Sequence, residues 1–216
     1  MSAPTGRMGR IDAVVFDLGN VLVHWDPFLP FVGRMARSEV ETFFDDVEFP
    51  RLNHRQDAGR TWEEARADVG GRFPQHVAAL DLYLDHFPDS LPGPVRGSAA
   101  VVGELAAGGV RVLGLTNWSA QTYHHALPAA PAIGLLEDVL VSGRVGIAKP
   151  DPRIFALLTE RFGLDPGRTV FTDDAPVNVA AATRAGYVAV LFTSADALRR
   201  DLGALGLPVG PQVPHT

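Results

Sequence analysis

The apolar positions of this chain change rhythm sharply between residue 11 and residue 205. Residues 11–23, IDAVVFDLGNVLV, form an apolar, β-branched run ending at a Gly-Asn turn, as expected of a strand buried on both faces. Residues 27–92 carry no strand-like run. Two capping boxes, Ser38 to Glu41 and Thr61 to Glu64, mark helix starts there, and QHVAALDLYLDHF at 75–87 has helical spacing. That stretch predicts a small helical bundle. After Pro92-Gly93-Pro94, SAAVVGELAAGG reads as a helix stopped by glycines and VRVLGLTN as a strand. A helix is expected from Ser119, a strand at EDVLVS, and a helix from Asp151-Pro152, with aspartate as cap and proline at the first position. TVFTDD, PVNVAAATRAG and YVAVLFT continue as strand, helix and strand, and Ser194 caps a final helix.

Strand alternating with helix predicts the α/β class, a doubly wound, Rossmann-like parallel sheet with helices on both faces and an α-helical insertion. The expected division is a core from residues 1–24 and 93–205, a helical insertion at 25–92, and a Pro/Gly-rich tail at 206–216. Residues 1–10 read as a disordered leader. Within the insertion, Phe43, Phe44 and Phe49 suit either a core or an interface, so a monomer and a homodimer are both compatible.

Composition narrows the function. The balance of 46% apolar and 20% charged residues is that of a globular domain. A net charge of −6 argues against nucleic acid or an anionic membrane as partner, since either wants a basic face. The absence of cysteine excludes disulfides, thiolate metal sites and cysteine nucleophiles. No stretch approaches the ~18 apolar residues of a spanning helix, and the first ten lack a signal-peptide run, so a cytoplasmic location is expected. Of 19 cationic residues only Lys149 is lysine. Arginine-rich coding explains the arginines but not the one exception. An ammonium point charge and a guanidinium fork are not interchangeable in a tight site, which makes Lys149 a functional candidate.

In a doubly wound sheet, ligands bind beyond the carboxyl ends of the strands. Four chemistry-bearing clusters fall at such ends: Asp17, Thr116-Asn117, Lys149 in GIAKPDP, and Asp173-Asp174 in TVFTDDAPVN. Each alone could be a turn former or a helix cap. Their joint occurrence in this order is poorly explained that way. FDLGNVLV, LTN, the lysine of KPDP and TDDAPVN are similar to the four motifs of the haloacid dehalogenase superfamily, and the interval between the first two falls where that superfamily inserts a helical cap. FDLGNVLV, DAGRTWEEA and the fourth motif look closest to bacterial phosphatases of the glucose-1-phosphatase type.

The resemblance implies a Mg²⁺-dependent phosphatase acting on a small phosphorylated molecule. Asp17 would attack phosphorus to form an aspartyl phosphate. Asp17, Asp174 and the Gly19 carbonyl would hold Mg²⁺, with Asp173 orienting the second carboxylate or its waters. The Thr116 hydroxyl and the Asn117 backbone N–H would grip the phosphoryl oxygens, Lys149 would neutralise them, and Asn178 would pin the metal loop. His24 and Trp25, just after the first motif, are candidate substrate contacts. His54, Arg55 and Arg60 could select a substrate from the cap, while His124 and His125 read as a solvated pair, being about 100° apart on a helix.

One position departs from the pattern. Gly19 stands where such phosphatases carry a second aspartate, the general acid, and general acid catalysis contributes about 10²–10⁴-fold. Three readings follow: an acidic leaving group such as a sugar 1-phosphate, a proton donor from His24 or the cap, or a 2-haloacid dehalogenase, whose halide needs no proton. Paired acids at the fourth motif weigh against the last, because without a cation they would repel Asp17 and raise its pKa. Phosphonate hydrolysis through a Schiff base is disfavoured because the cap has no lysine. A non-catalytic phospholigand-binding module remains the alternative of a different class.

Overall fold

The computed structural model describes residues 10–210; the first nine residues of the expected leader and the last six of the expected tail lie outside it. Five parallel strands, β1 (Ala13–Phe16), β2 (Arg111–Thr116), β3 (Val139–Val141), β4 (Thr169–Asp173) and β5 (Val188–Leu191), line up in the order β3-β2-β1-β4-β5. Val15 pairs in register with Leu113 on one side and Phe171 on the other. Every residue of β1, β3 and β4 is buried, as the unbroken apolar runs require.

Alternation within those runs still decides which face each side chain serves. Val14, Phe16, Val112 and Val170 join one cluster with Val101, Leu105, Leu198 and Leu202, from α5 (Ser98–Ala107) and, after four further α-helices, α10 (Ala195–Ala204). Val15, Leu113, Leu115, Leu140 and Phe171 join the other with residues of α8 (Pro152–Phe162) and α9 (Pro176–Arg184). Gly114 is required where it stands, because a Cβ there would lie 2.9 Å from Val139 Cγ2 and 3.1 Å from Leu18 Cδ1.

Between β1 and β2 the chain is helical: α1 (Arg37–Asp46), α2 (Phe49–Asp57), α3 (Trp62–Arg72) and α4 (Val77–Asp85), with short 3₁₀ turns. Their shared core is aromatic. Phe43 and Phe49 are buried and Phe44 stacks on Phe49 at 4.1 Å between centroids, while Tyr83 meets Phe31, Phe49, Trp62 and Phe87. The Thr61–Glu64 capping box forms as expected, with Thr61 Oγ1 accepting from Glu64 N–H and Glu64 reaching back to Thr61 N–H. The Ser38 box does not. Helix α1 starts two residues earlier than that box requires, and Glu39 Oε2 accepts from Ala36 N–H instead, so Ser38 sits inside the first turn.

The helix expected from Ser119 is also different. A 3₁₀ turn at Tyr123–His125 leads into a four-residue helix, α6 (Ala126–Ala129). Pro128 and Pro131 each lack the N–H a longer helix would need. The remaining short helix, α7 (Ser142–Val145), follows β3 directly and packs against α2. Two glycines allow that approach: a Cβ on Gly59 would lie 3.0 Å from Gly146 Cα, and both have positive φ. Gln121 ties the same region together, accepting from Trp62 N–H and donating to Glu63. Among the described residues no helix is long and apolar enough to cross a membrane.

Candidate functional site

The chain order reverses at β1, since β2 and β3 lie to one side of it and β4 and β5 to the other. A cleft therefore opens beyond the carboxyl ends of β1 and β4. Asp17 follows β1 there, and Asp173 ends β4. One carboxylate oxygen from each of Asp17, Asp173 and Asp174 lies within 4.8 Å of the others. Lys149 reaches the same point from the α7–α8 loop, with Nζ 2.6 Å from Asp173 Oδ2 and 3.0 Å from Asp17 Oδ1, and donates to the Leu115 carbonyl at 3.0 Å. Its side chain is fully buried.

These contacts assign each group a distinct environment. Asp173 is fully buried and saturated, taking Lys149, the Ala175 N–H and both Asn178 hydrogen bonds. Asp17 receives Lys149 and the Leu18 N–H on Oδ1 alone; among the described residues Oδ2 accepts no hydrogen bond. Asp174 is exposed, faces the cavity, and is contacted by Asn20. Burial pushes the Asp17 carboxyl up to about 7; Lys149 opposes this and Asp173 adds to it. Burial and then Asp173 also raise Asp174. Burial alone would pull Lys149 down, but Asp17 and Asp173 hold it above its ordinary value. Three carboxylates against one ammonium leave an excess of two negative charges when all are ionised, and such an oxygen donor set fits a hard divalent cation.

The cradle opens into a cavity of about 260 Å³. Its floor is Asp17, Gly19, Asn20, Asn117 and Asp174, and its walls are Trp25, Phe87, Trp118, Ser119 and Thr122. Asn53 and Asp57, from the last turn of α2, close the far side. Among the described residues no arginine, lysine or histidine lines it.

Asp17, Gly19, Trp25, Asn117 and Asp174 thus share one cavity, with Lys149, Asp173, Asn178 and Thr116 buried behind its floor. One expectation needs correcting. His24 points to solvent and lies outside the cavity lining, because buried Val23 and cavity-facing Trp25 flank it on an extended segment whose next side chain turns outward. The Asn117 side chain is committed to the Lys149 backbone, accepting from its N–H at 2.8 Å and donating to its carbonyl at 2.9 Å. It fixes the lysine loop.

Asn20, Asn53 and Asp57 went unrecognised in the sequence. A signal for Asn20 existed: a Gly-Asn turn favours asparagine at positive φ, and Asn20 has φ 54° and accepts from Trp25 N–H. Asp57 had none, lying in a polar helix whose inward face only packing defines. Burial, followed by the Asp17 charge, pushes the Asp57 carboxyl up to about 7; Lys149 and the Ser119 N–H act in the other direction.

Residues 11–186 match the family model described as haloacid dehalogenase-like hydrolase. Over 212 residues the chain is 30% identical to phosphoglycolate phosphatase of Rhodospirillum rubrum, covering 90% of this chain and 84% of that one. It is 26% identical over 200 residues to drimenol cyclase drtB of Aspergillus calidoustus, covering 89% of this chain but only 36% of that protein's length. Among solved structures, a haloacid dehalogenase family enzyme from Bacteroides thetaiotaomicron superposes with a TM-score of 0.70 at 21% identity, covering 86% of this chain and 95% of the other. Solved dehalogenases share the fold as well, at TM-scores of 0.66 and 0.63.

Proposed function

We propose that this chain, which belongs to the haloacid dehalogenase-like hydrolase family, is a Mg²⁺-dependent phosphatase that hydrolyses a small phosphate monoester through an aspartyl phosphate on Asp17. The observation that carries the reading is the doubly negative cradle at the cavity floor, with Asp17 Oδ2 left free beside it. Lys149 and the Leu18 N–H hold Oδ1, which leaves Oδ2 free to attack a phosphorus atom that would bind in the cavity. Asp17, Asp174 and the Gly19 carbonyl would hold Mg²⁺, whose charge would offset the approach of a phosphate dianion to a carboxylate. Asp173 and Asn178 keep Lys149 in place, and Asn117 fixes the loop that presents it. Thr116, which ends β2 just before cavity-lining Asn117, would offer its hydroxyl to the phosphoryl group.

The helical segment 25–92 would act as a cap over the core of residues 1–24 and 93–205, with Trp25 at the hinge. Cavity chemistry then selects the substrate. Walls of Trp25, Phe87 and Trp118 offer flat apolar surface, while Asn20, Asn53, Ser119 and Thr122 offer neutral polar groups. With no cation in the lining, an anionic leaving group such as glycolate finds no partner, whereas a neutral sugar finds both a stacking face and hydrogen bonds.

The competing reading, a metal-independent 2-haloacid dehalogenase, has Gly19 in its favour. It leaves three clustered carboxylates with only the Lys149 ammonium to balance them, two negative charges in excess. The test is release of p-nitrophenol from p-nitrophenyl phosphate. Activity should require Mg²⁺, stop in EDTA and be lost in Asp17→Asn. Dechlorination of chloroacetate in EDTA, with the ester untouched, would replace this reading, and turnover of neither compound would favour a binding module.

A further inference from the structure

The cavity contains a third carboxyl group that the proposed chemistry does not yet use. Asp57 ends α2, is 9% exposed and lines the same cavity as Asp17 and Gly19. Its Oδ2 accepts from Asn53 Nδ2 at 3.1 Å, and the Ser119 N–H also donates to the carboxylate. Among the described residues it makes no salt bridge. Asp173, equally buried, has Lys149 at 2.6 Å. An asparagine at position 57 could accept the Ser119 hydrogen bond without burying an unpaired charge, so a carboxyl group there serves packing poorly.

The cavity floor is short of one group. At Gly19, two residues beyond the nucleophile, a Cβ would meet nothing within 4 Å. That position opens into the cavity without supplying a proton donor. The titratable side chains lining the cavity are Asp17, Asp57 and Asp174, of which Asp17 attacks and Asp174 belongs to the cation cradle. His24 faces solvent. The end of α2 is held against α7 by the close Gly59–Gly146 contact, so Asp57 is delivered by a fixed element. The charges acting on it are Asp17 and Lys149 from the core, and on the helical side it is sensed by buried Tyr83.

We infer that Asp57 is the general acid and base of the reaction, supplied by the helical segment in place of the side chain missing at Gly19. The inference rests on the phosphatase reading. In the first step, Asp17 Oδ2 bonds to phosphorus, the bond from phosphorus to the ester oxygen breaks, and that oxygen takes the Asp57 proton to leave as an alcohol. In the second, the Asp57 carboxylate takes a proton from water as the water oxygen bonds to phosphorus. The bond from phosphorus to Asp17 breaks, phosphate leaves, and both aspartates return to their starting states. Burial, the larger cause of its raised pKa, favours a protonated Asp57 carboxyl that can give up a proton and take one back.

The experiment compares p-nitrophenyl phosphate, whose leaving group needs no proton, with benzyl phosphate, whose leaving group does. For Asp57→Asn in Mg²⁺, kcat/KM on benzyl phosphate should fall about 10²–10⁴-fold, the range of general acid catalysis, and on p-nitrophenyl phosphate by less than about tenfold. Loss of the base should slow dephosphorylation, giving a burst of one equivalent of p-nitrophenol and trapped phosphoenzyme. Asp57→Glu should recover part of the benzyl phosphate activity. In the unmutated protein, the ratio of kcat/KM for benzyl to p-nitrophenyl phosphate should fall as pH rises and Asp57 ionises, a readout independent of any variant's folding. Equal losses on both esters, or a pH-independent ratio, would reduce Asp57 to a structural role. If the unmutated protein cleaves neither ester, the phosphatase reading itself falls and this inference with it.

Discussion

Replacing Asp57 by asparagine in the Mg²⁺-free protein should stabilise the fold, by an amount that depends on pH in a defined way. The group is buried, makes no salt bridge among the described residues, and is raised from 3.8 to about 7 by burial first and the Asp17 charge second. The folded state therefore holds its proton over a range in which the unfolded chain has released it. Below pH 4 both states are protonated and the substitution is nearly neutral. As pH climbs from 4 toward 7, the unfolded state gains from ionisation while the folded state does not, and the unmutated protein loses stability relative to the variant. Above the folded-state value the difference levels off. Roughly three pH units at ~1.4 kcal/mol each set a ceiling of about 4 kcal/mol. For a chain of this size each kcal/mol moves Tm by about 2–4 °C. Thermal unfolding by circular dichroism in EDTA, at pH 4, 5, 6, 7 and 8, measures the curve. A Tm difference that is flat with pH, or that favours the unmutated protein above pH 7, would show that Asp57 is neither desolvated nor facing Asp17.

Other outcomes follow from the same geometry. Lys149→Met should destabilise the fold by about 3–5 kcal/mol in urea unfolding, because Asp173 would keep its burial and lose its counterion; a change under 1 kcal/mol would contradict the pairing. Mg²⁺ should raise Tm at pH 8 far more than at pH 5, where the Asp17 carboxyl, held up to about 7, is protonated and unable to bind the ion; equal shifts at both pH values would place the ion elsewhere. Gly143→Ala should be strongly destabilising, since its Cβ would lie 2.5 Å from Ala120 N and 2.6 Å from Trp118 O, backbone atoms of the cavity wall; an unchanged Tm would mean that the wall yields freely.

Much of this protein was determined by its sequence alone. Unbroken β-branched runs alternating with capped helices required a parallel sheet covered on both faces, because such runs cannot expose either side to water. The ends of those runs put Asp17, Thr116, Lys149 and Asp173-Asp174 at one edge of the sheet, and the lone lysine stood out against 18 arginines. Local signals failed where two elements compete for one residue. The Ser38 box gave way to Glu39 capping Ala36, and prolines shortened the helix after Ser119. What only the tertiary structure decided is which polar side chains turn inward across the cleft. Helix α2 is polar around most of its surface, so no periodicity singled out Asn53 or Asp57. Their orientation comes from the Gly59–Gly146 contact and the packing of α2 on α7, made between segments nearly ninety residues apart. The same holds for charge. Asp173 and Asp174 are neighbours in sequence, yet one is sealed against Lys149 and the other faces the cavity, because side chains reverse direction as the strand ends.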